Sequence, residues 1–269
     1  MKLVWLTDIH LNFISPDERH AFYETVISAS PDAIILTGDI AESASVTSIL
    51  NEMNQALSRP IYFVLGNHDF YKSSYGAVKK NVSALSDQVE NLTWLTVSGP
   101  RELKPGVVLL GQDGWADGRY GDYFNSNIRV NDCRFIEEYA AADLIGQKAL
   151  LDVMQTFADR DAHALRENIQ SAVGQYQPTN IIVLTHVPPF KAVSMHQGHP
   201  TGDDFLPFFV SKATGDALQE MAAAYPNVNF QVYAGHTHSK GSGQILDNLY
   251  VNVGGAVYRK PAIADVLVV

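Results

Sequence analysis

Residues 61–69, Ile61-Tyr62-Phe63-Val64-Leu65-Gly66-Asn67-His68-Asp69, pass within nine positions from a β-rich apolar run to a glycine and three chemically capable side chains. A short apolar run of this kind, closed by a turn signal, reads as a strand buried on both faces. The same grammar appears twice upstream. Lys2 to Thr7 runs into Asp8-Ile9-His10, and Ala33 to Thr37 runs into Gly38-Asp39. Helical patterns over Pro16 to Ser30 and Ser45 to Leu57 separate the three runs. Strands alternating with helices predict βαβ units and a parallel sheet. The carboxyl ends of such strands form one rim where ligands bind, so the three polar clusters should converge in space.

Further strands are expected at Val107 to Leu110, Ile181 to Thr185, Phe230 to Tyr233, Tyr250 to Val253 and Ala264 to Val269. The last three lie too close together for helical crossovers, so the C-terminal part should be antiparallel or mixed. Asp132 to Tyr176 carries a long helical pattern, expected to break near Phe157 to Asp161, and part of it is a candidate cap. A stretch over 187–215, rich in Pro and Gly with interleaved aromatics, reads as an active-site loop. We therefore expect one domain over 1–269, with an insertion at about 111–176.

The chain holds 269 residues, 46% of them hydrophobic, so disorder, collagen and coiled coil are excluded. Its net charge of −10 gives no global support to general nucleic-acid binding. One cysteine, Cys133, excludes an intramolecular disulfide and a thiolate zinc cluster. That usage, with no signal-peptide pattern at Met1 to Asp8 and no apolar run long enough for a membrane span, leads us to expect a cytoplasmic protein. Walker A and G-x-S-x-G strings are absent.

His186 follows the strand at Ile181, and His236 and His238 follow the strand at Phe230, repeating the placement of Asp8, His10, Asp39 and Asn67. Any one cluster alone fits a turn or a helix cap. Together they offer two carboxylates, one amide and four imidazoles, a set suited to divalent Mn, Fe, Zn, Co or Ni. Seven ligands are too many for one ion. Shared between two ions with one carboxylate bridging, they define a two-metal hydrolytic site.

Asp8-Ile9-His10, Gly38-Asp39, Gly66-Asn67-His68-Asp69, Thr185-His186 and Gly235-His236-Thr237-His238 resemble, in order, the signature of the calcineurin-like metallophosphoesterases. The resemblance implies a four-layer αββα sandwich, an α/β fold of two mixed sheets flanked by helices. It implies Asp8, His10 and His238 on one metal, Asn67, His186 and His236 on the other, and Asp39 bridging. It further implies attack by a metal-bridging hydroxide on a phosphomonoester or phosphodiester, with His68 assisting the leaving group. Asp69 is expected to hold the His68 imidazole and raise its basicity.

The contrasting expectation is a non-catalytic metal-binding interaction scaffold of the same fold. Within the enzyme class, protein phosphatase, phosphodiesterase, nuclease and lipid-precursor pyrophosphohydrolase share the metal core, and the acidic balance disfavours the nuclease. Arg119, Tyr120 and Tyr123, in the loop after the strand at Val107, and His196 and His199, in the 187–215 loop, are candidate substrate contacts. His20 and His163 read as surface histidines, and Phe135, Ile136 and Tyr139 as core.

Overall fold

A computed structural model describes residues 1–269. The chain begins β1 (Lys2–Leu6), α1 (Pro16–Ser28), β2 (Ala33–Thr37), α2 (Val46–Leu57), β3 (Ile61–Val64), α3 (Tyr75–Gln88), β4 (Leu92–Trp94) and α4 (Leu95–Ser98). It continues β5 (Arg101–Lys104), β6 (Val107–Gly111), α5 (Asp132–Phe135), α6 (Glu137–Ile145), α7 (Gln147–Tyr176) and β7 (Asn180–Leu184). The remainder is β8 (Met195–His196), β9 (His199–Pro200), α8 (Leu206–Phe209), α9 (Lys212–Ala224), β10 (Asn229–Ala234), β11 (Gly241–Leu246), β12 (Leu249–Val253) and β13 (Asp265–Val268).

Two sheets organise these elements. The first has the order β13-β1-β2-β3-β4, parallel except where β13 runs antiparallel to β1. The second has the order β11-β12-β10-β7-β6-β5, with a parallel centre and an antiparallel strand at each edge. Alternate residues explain why the sheets face one another. Leu3, Trp5 and Ile35 of the first sheet pack with Leu109, Ile182 and Leu184 of the second in one apolar layer. Val4, Leu6, Ile34 and Leu36 point the other way, into the layer beneath the helices. The result is the expected αββα sandwich.

Local signals set the helix ends. Ser15 and Glu18 form a reciprocal capping box with Pro16 in the first turn, which starts α1 where the sequence predicts. In α2, Val46, Ile49, Leu50, Met53 and Leu57 share one buried face, the spacing an amphipathic helix requires.

The helical stretch differs from expectation. α7 runs unbroken through Phe157 to Asp161, and the breaks fall instead at Ile136 and Gly146. Asp161 imitates a breaker in sequence, but it is buried, accepts a hydrogen bond from Gly114 N and pairs with Arg160 at 2.8 Å. α7 ends the connection through α5 and α6 that links parallel strands β6 and β7, a crossover in the flanking layer.

At the C-terminus, β10 and β12 are parallel and joined through β11, which folds back antiparallel on β12. β11, Gly241-Ser242-Gly243-Gln244-Ile245-Leu246, has little β propensity and no strand is predicted there. β13 leaves that sheet for the first one. No helix is long and apolar enough to cross a membrane.

Candidate metal centre

The carboxyl ends of β1, β2, β3, β7 and β10 meet on one rim, and main-chain bonds lock it. Asp8 N donates to Gly38 O at 3.1 Å, His10 N to Asp39 O at 3.0 Å and Gly235 N to His186 O at 2.8 Å. Five of the seven predicted ligands sit at left-handed φ, from 41° at His10 to 71° at His236, including Asp8, Asp39 and His238. Non-glycine residues held there store strain, and such strain gathers at functional sites. Two glycines make room. A Cβ on Gly66 would lie 2.2 Å from Asp39 Oδ1, and one on Gly235 would lie 2.2 Å from Asp8 Oδ2.

All seven residues converge, in two groups. Ligand atoms of Asp8, His10, Asp39 and His238 lie within 4.8 Å of one another. His10 Nε2 is 3.2 Å from His238 Nε2 and 3.6 Å from Asp39 Oδ2, and His238 Nε2 is 3.4 Å from Asp8 Oδ1. In the second group, His186 Nε2 is 2.9 Å from Asn67 Oδ1, 3.2 Å from His236 Nδ1 and 3.4 Å from Asp39 Oδ1. His236 Nδ1 and Asn67 Oδ1 are 3.0 Å apart. Asp39 thus turns one carboxylate oxygen to each group.

Outer contacts orient the second group. His186 Nδ1 faces the Thr37 carbonyl at 2.8 Å, and His236 Nε2 faces the Phe208 carbonyl at 2.9 Å. A carbonyl accepts only, so in the neutral rings each facing nitrogen carries the proton and the inward nitrogen presents a lone pair. Asn67 donates Nδ2–H to Asp132 Oδ1 at 2.7 Å, which turns its carbonyl oxygen inward. Atoms about 2.1 Å from a shared cation lie about 3.0 to 3.4 Å from one another, close to the spacing of the second group, while the first group is somewhat wider, up to 4.8 Å. The donor set therefore fits two divalent ions.

Electrostatics treat the ring nitrogens unequally. Burial pushes the His10 imidazole down to about 4 against the pull of Asp39, so it stays neutral near pH 7. Burial opposes ionisation of Asp39, but His186, His68, His10 and His236 outweigh it and hold the carboxyl below its usual range. Burial also opposes charging His186, yet Asp39 and Asp8 raise its pKa, while burial and His186 lower that of His236.

His68 stands beside both groups, with Nε2 3.9 Å from Asp39 Oδ2 and its ring stacked on Tyr71 at 4.2 Å. Its expected link to Asp69 is absent. Asp69 accepts from Gly66 N at 2.8 Å, Ile40 N at 3.0 Å and Ala41 N at 2.9 Å, while His68 Nδ1 is buried without a partner. At the third position of the 3-10 turn Asn67–Phe70, the carboxylate folds back onto backbone donors. Asp69 therefore ties two rim loops together and does not hold the His68 ring.

A cleft of about 330 Å3 opens over the centre, bordered by Arg129, Asn131, Asp132, His196, Phe209 and Tyr258. His196 reaches it as expected, stacked on Phe205 at 4.4 Å, whereas His199 is exposed outside it. A Gln197-Gly198 turn with φ 50° and 80° folds β8 onto β9 and presents His196. Arg119, Tyr120 and Tyr123 lie elsewhere. Arg119 is paired with Asp117 and Asp159, and buried Tyr123 donates to Gln147 O. Arg129, Asn131, Asp132 and Tyr258 belong to no motif, and only the folded chain brings them to the cleft. Ile136 and Tyr139 are core as expected, whereas Phe135 is half-buried and borders an adjoining hollow with Phe13, Tyr71 and Tyr258. His20 and His163 are exposed beside Glu24 and Glu167.

Residues 1–240 match the family described as calcineurin-like phosphoesterase, and the chain belongs to that family. A curated relative, a transmembrane protein with metallophosphoesterase domain from Bos taurus, is 31% identical over 122 residues, 42% of this chain. The matched segment spans 27% of that relative's length. Among solved structures, the phosphopantetheinyl hydrolase from Mycobacterium tuberculosis superposes with a TM-score of 0.61 at 12% identity, covering 94% of this chain and 89% of its own. A dimetal phosphatase from Danio rerio superposes with a TM-score of 0.58 at 11% identity, covering 95% and 87% respectively. These likenesses show the shared fold.

Proposed function

We propose that this chain is a binuclear metal-dependent phosphoesterase that hydrolyses phosphomonoesters or phosphodiesters of small or medium size. One observation carries the reading. Asn67 Oδ1, His186 Nε2 and His236 Nδ1 aim at one point, 2.9 to 3.2 Å apart, with their outward atoms already committed to other partners. Three converging lone pairs repel one another unless a cation, or a proton, lies among them. Family membership supports the chemistry, and the group of Asp8, His10, Asp39 and His238 supports a second ion.

Asp8, His10 and His238 would hold one ion, Asn67, His186 and His236 the other, with Asp39 between them. When bound, two divalent ions lower the pKa of a water and offset phosphoryl charge. His68, partly open to the cleft and close to Asp39, is placed to deliver a proton to the leaving alkoxide. Cysteine usage supports a reducing compartment such as the cytoplasm.

The test is hydrolysis of an aryl phosphomonoester and a bis-aryl phosphodiester by Mn-reconstituted protein beside an Asp39→Asn control, with metal content measured on each sample. Metal-dependent turnover lost in the control supports the proposal. Two bound ions without turnover on either ester favours the scaffold.

A further inference from the structure

Asp132 lies 65 positions from Asn67 and outside every recognisable motif, yet its Oδ1 accepts from Asn67 Nδ2 at 2.7 Å and from Tyr71 OH at 2.6 Å. Tyr71 OH is also 3.2 Å from Asn67 Nδ2, so the three groups close a triangle directly behind the ligand amide. All three residues are buried. We propose that Asp132 is a positioning residue for the second metal, holding Asn67 in the one amide orientation that can ligate a cation. The inference rests on the proposed two-metal reading.

The chemistry is that of an amide's two unlike ends. An asparagine side chain is nearly symmetric in shape, but one end accepts and the other donates. Turned by half a rotation, Asn67 would aim N–H groups at the metal position and its oxygen at the Asp132 carboxylate. A carboxylate accepts only, so it rejects that orientation and favours the observed one. Outer-shell partners of this sort orient ligands and tune metal affinity.

The backbone explains how residues so distant in sequence are held in register. Lys72 N donates to Phe135 O at 2.6 Å, and Glu137 N donates to Ser73 O at 3.1 Å. Ser73 and Ile136 form an isolated parallel bridge. The segment around α5 is therefore stitched along the chain that follows the Asn67 turn. It buttresses the ligand from behind.

Mn2+ titration of metal-free protein by calorimetry, with metal content and anomalous X-ray scattering to locate the ions, tests the proposal. Asp132→Ala should keep the ion beside Asp8, His10 and His238 and bind the other about 10- to 100-fold more weakly. Asp132→Asn, which offers a donor end as well as an acceptor and so no longer rejects the turned amide, should weaken that same ion. Tyr71→Phe, which removes one donor steering Asp132, should weaken the same ion alone, and it serves should Asp132→Ala fail to fold. Equal weakening of both ions, or of neither, overturns the proposal. So does an Asp132→Asn protein that binds both ions as wild type does, which would mean that an acceptor-only partner is not what orients Asn67. Wild-type protein that binds no metal would instead defeat the two-metal reading itself.

Discussion

Asp39 Oδ1 lies 3.4 Å from His186 Nε2, while the other oxygen of the same carboxylate lies 3.6 Å from His10 Nε2. One side chain therefore joins two ligand groups, each of which draws on both sheets. Its removal should cost both ions together, a consequence no other ligand shares. Asp39→Asn is expected to lower turnover by about a thousand-fold or more, equivalent to about 4 kcal/mol of barrier. Metal analysis should find depletion of both ions, and steady-state assays on an aryl ester should read the loss.

His68 Nε2 lies 3.9 Å from Asp39 Oδ2 and belongs to neither group of converging atoms, and the His68 backbone N–H that donates to Asp39 Oδ1 survives substitution, so replacing the side chain should spare metal content. His68→Asn is expected to lower kcat by about 100- to 10,000-fold on an alkyl ester. The fall should be smaller on an aryl ester, whose leaving group needs no proton. Comparing the two substrates checks the assignment.

Asp69 accepts from three buried N–H groups and leaves the His68 ring free. Asp69→Ala orphans those donors, at about 1 to 3 kcal/mol for each group left unsatisfied. The expected outcome is a large loss of stability in the metal-free protein, read by urea denaturation. Asp69→Asn should leave the acidic and basic limbs of the pH–rate profile in place, because Asp69 makes no bond to the His68 ring.

Asp113 supplies the pH prediction. Its Oδ1 accepts from Leu65 N, Trp94 Nε1 and Thr96 Oγ1, while its Oδ2 is buried without a partner. Burial, and then the nearby Asp161 charge, push its pKa from 3.8 up to about 7. The folded state thus holds a proton that the unfolded chain releases near pH 3.8. The stability this contributes is complete below that value and is lost as pH rises through about 7. Asp113→Asn keeps the three acceptor contacts without the charge. Its urea midpoint relative to wild type should climb over that window and level off above it.

Much of this centre is legible in the chain itself. Each apolar run ends in its ligand, as Leu6 to Asp8 and His10 or Thr37 to Asp39, and parallel strands carry their ends to one rim whatever their separation. The seven candidate ligands all lie where that logic puts them, and the resemblance to the family signature sets them apart from His68 and Asp69. The outer contacts are not, because a backbone carbonyl such as that of Phe208 has no sequence signal and Asp132 looks like any other first residue of a helix. Asp69 is misread for a related reason. Its neighbour in sequence is His68, but its partners Ile40 and Ala41 come from the loop after β2.

Periodicity and turn chemistry act within a few residues, so the sequence by itself determined the buried strands β1, β2, β3, β7 and β10, the helices α1 and α2 between the first three, and the clusters at their ends. Tertiary structure alone decided which atom of His186, His236 and Asn67 faces inward, because the hydrogen bonds these side chains donate to Thr37 O, Phe208 O and Asp132 reach across the fold. It also decided that α7 is a crossover and that α5 stands behind Asn67. Those outcomes depend on which surfaces bury one another, a property of the assembled sheets that no local run of residues carries.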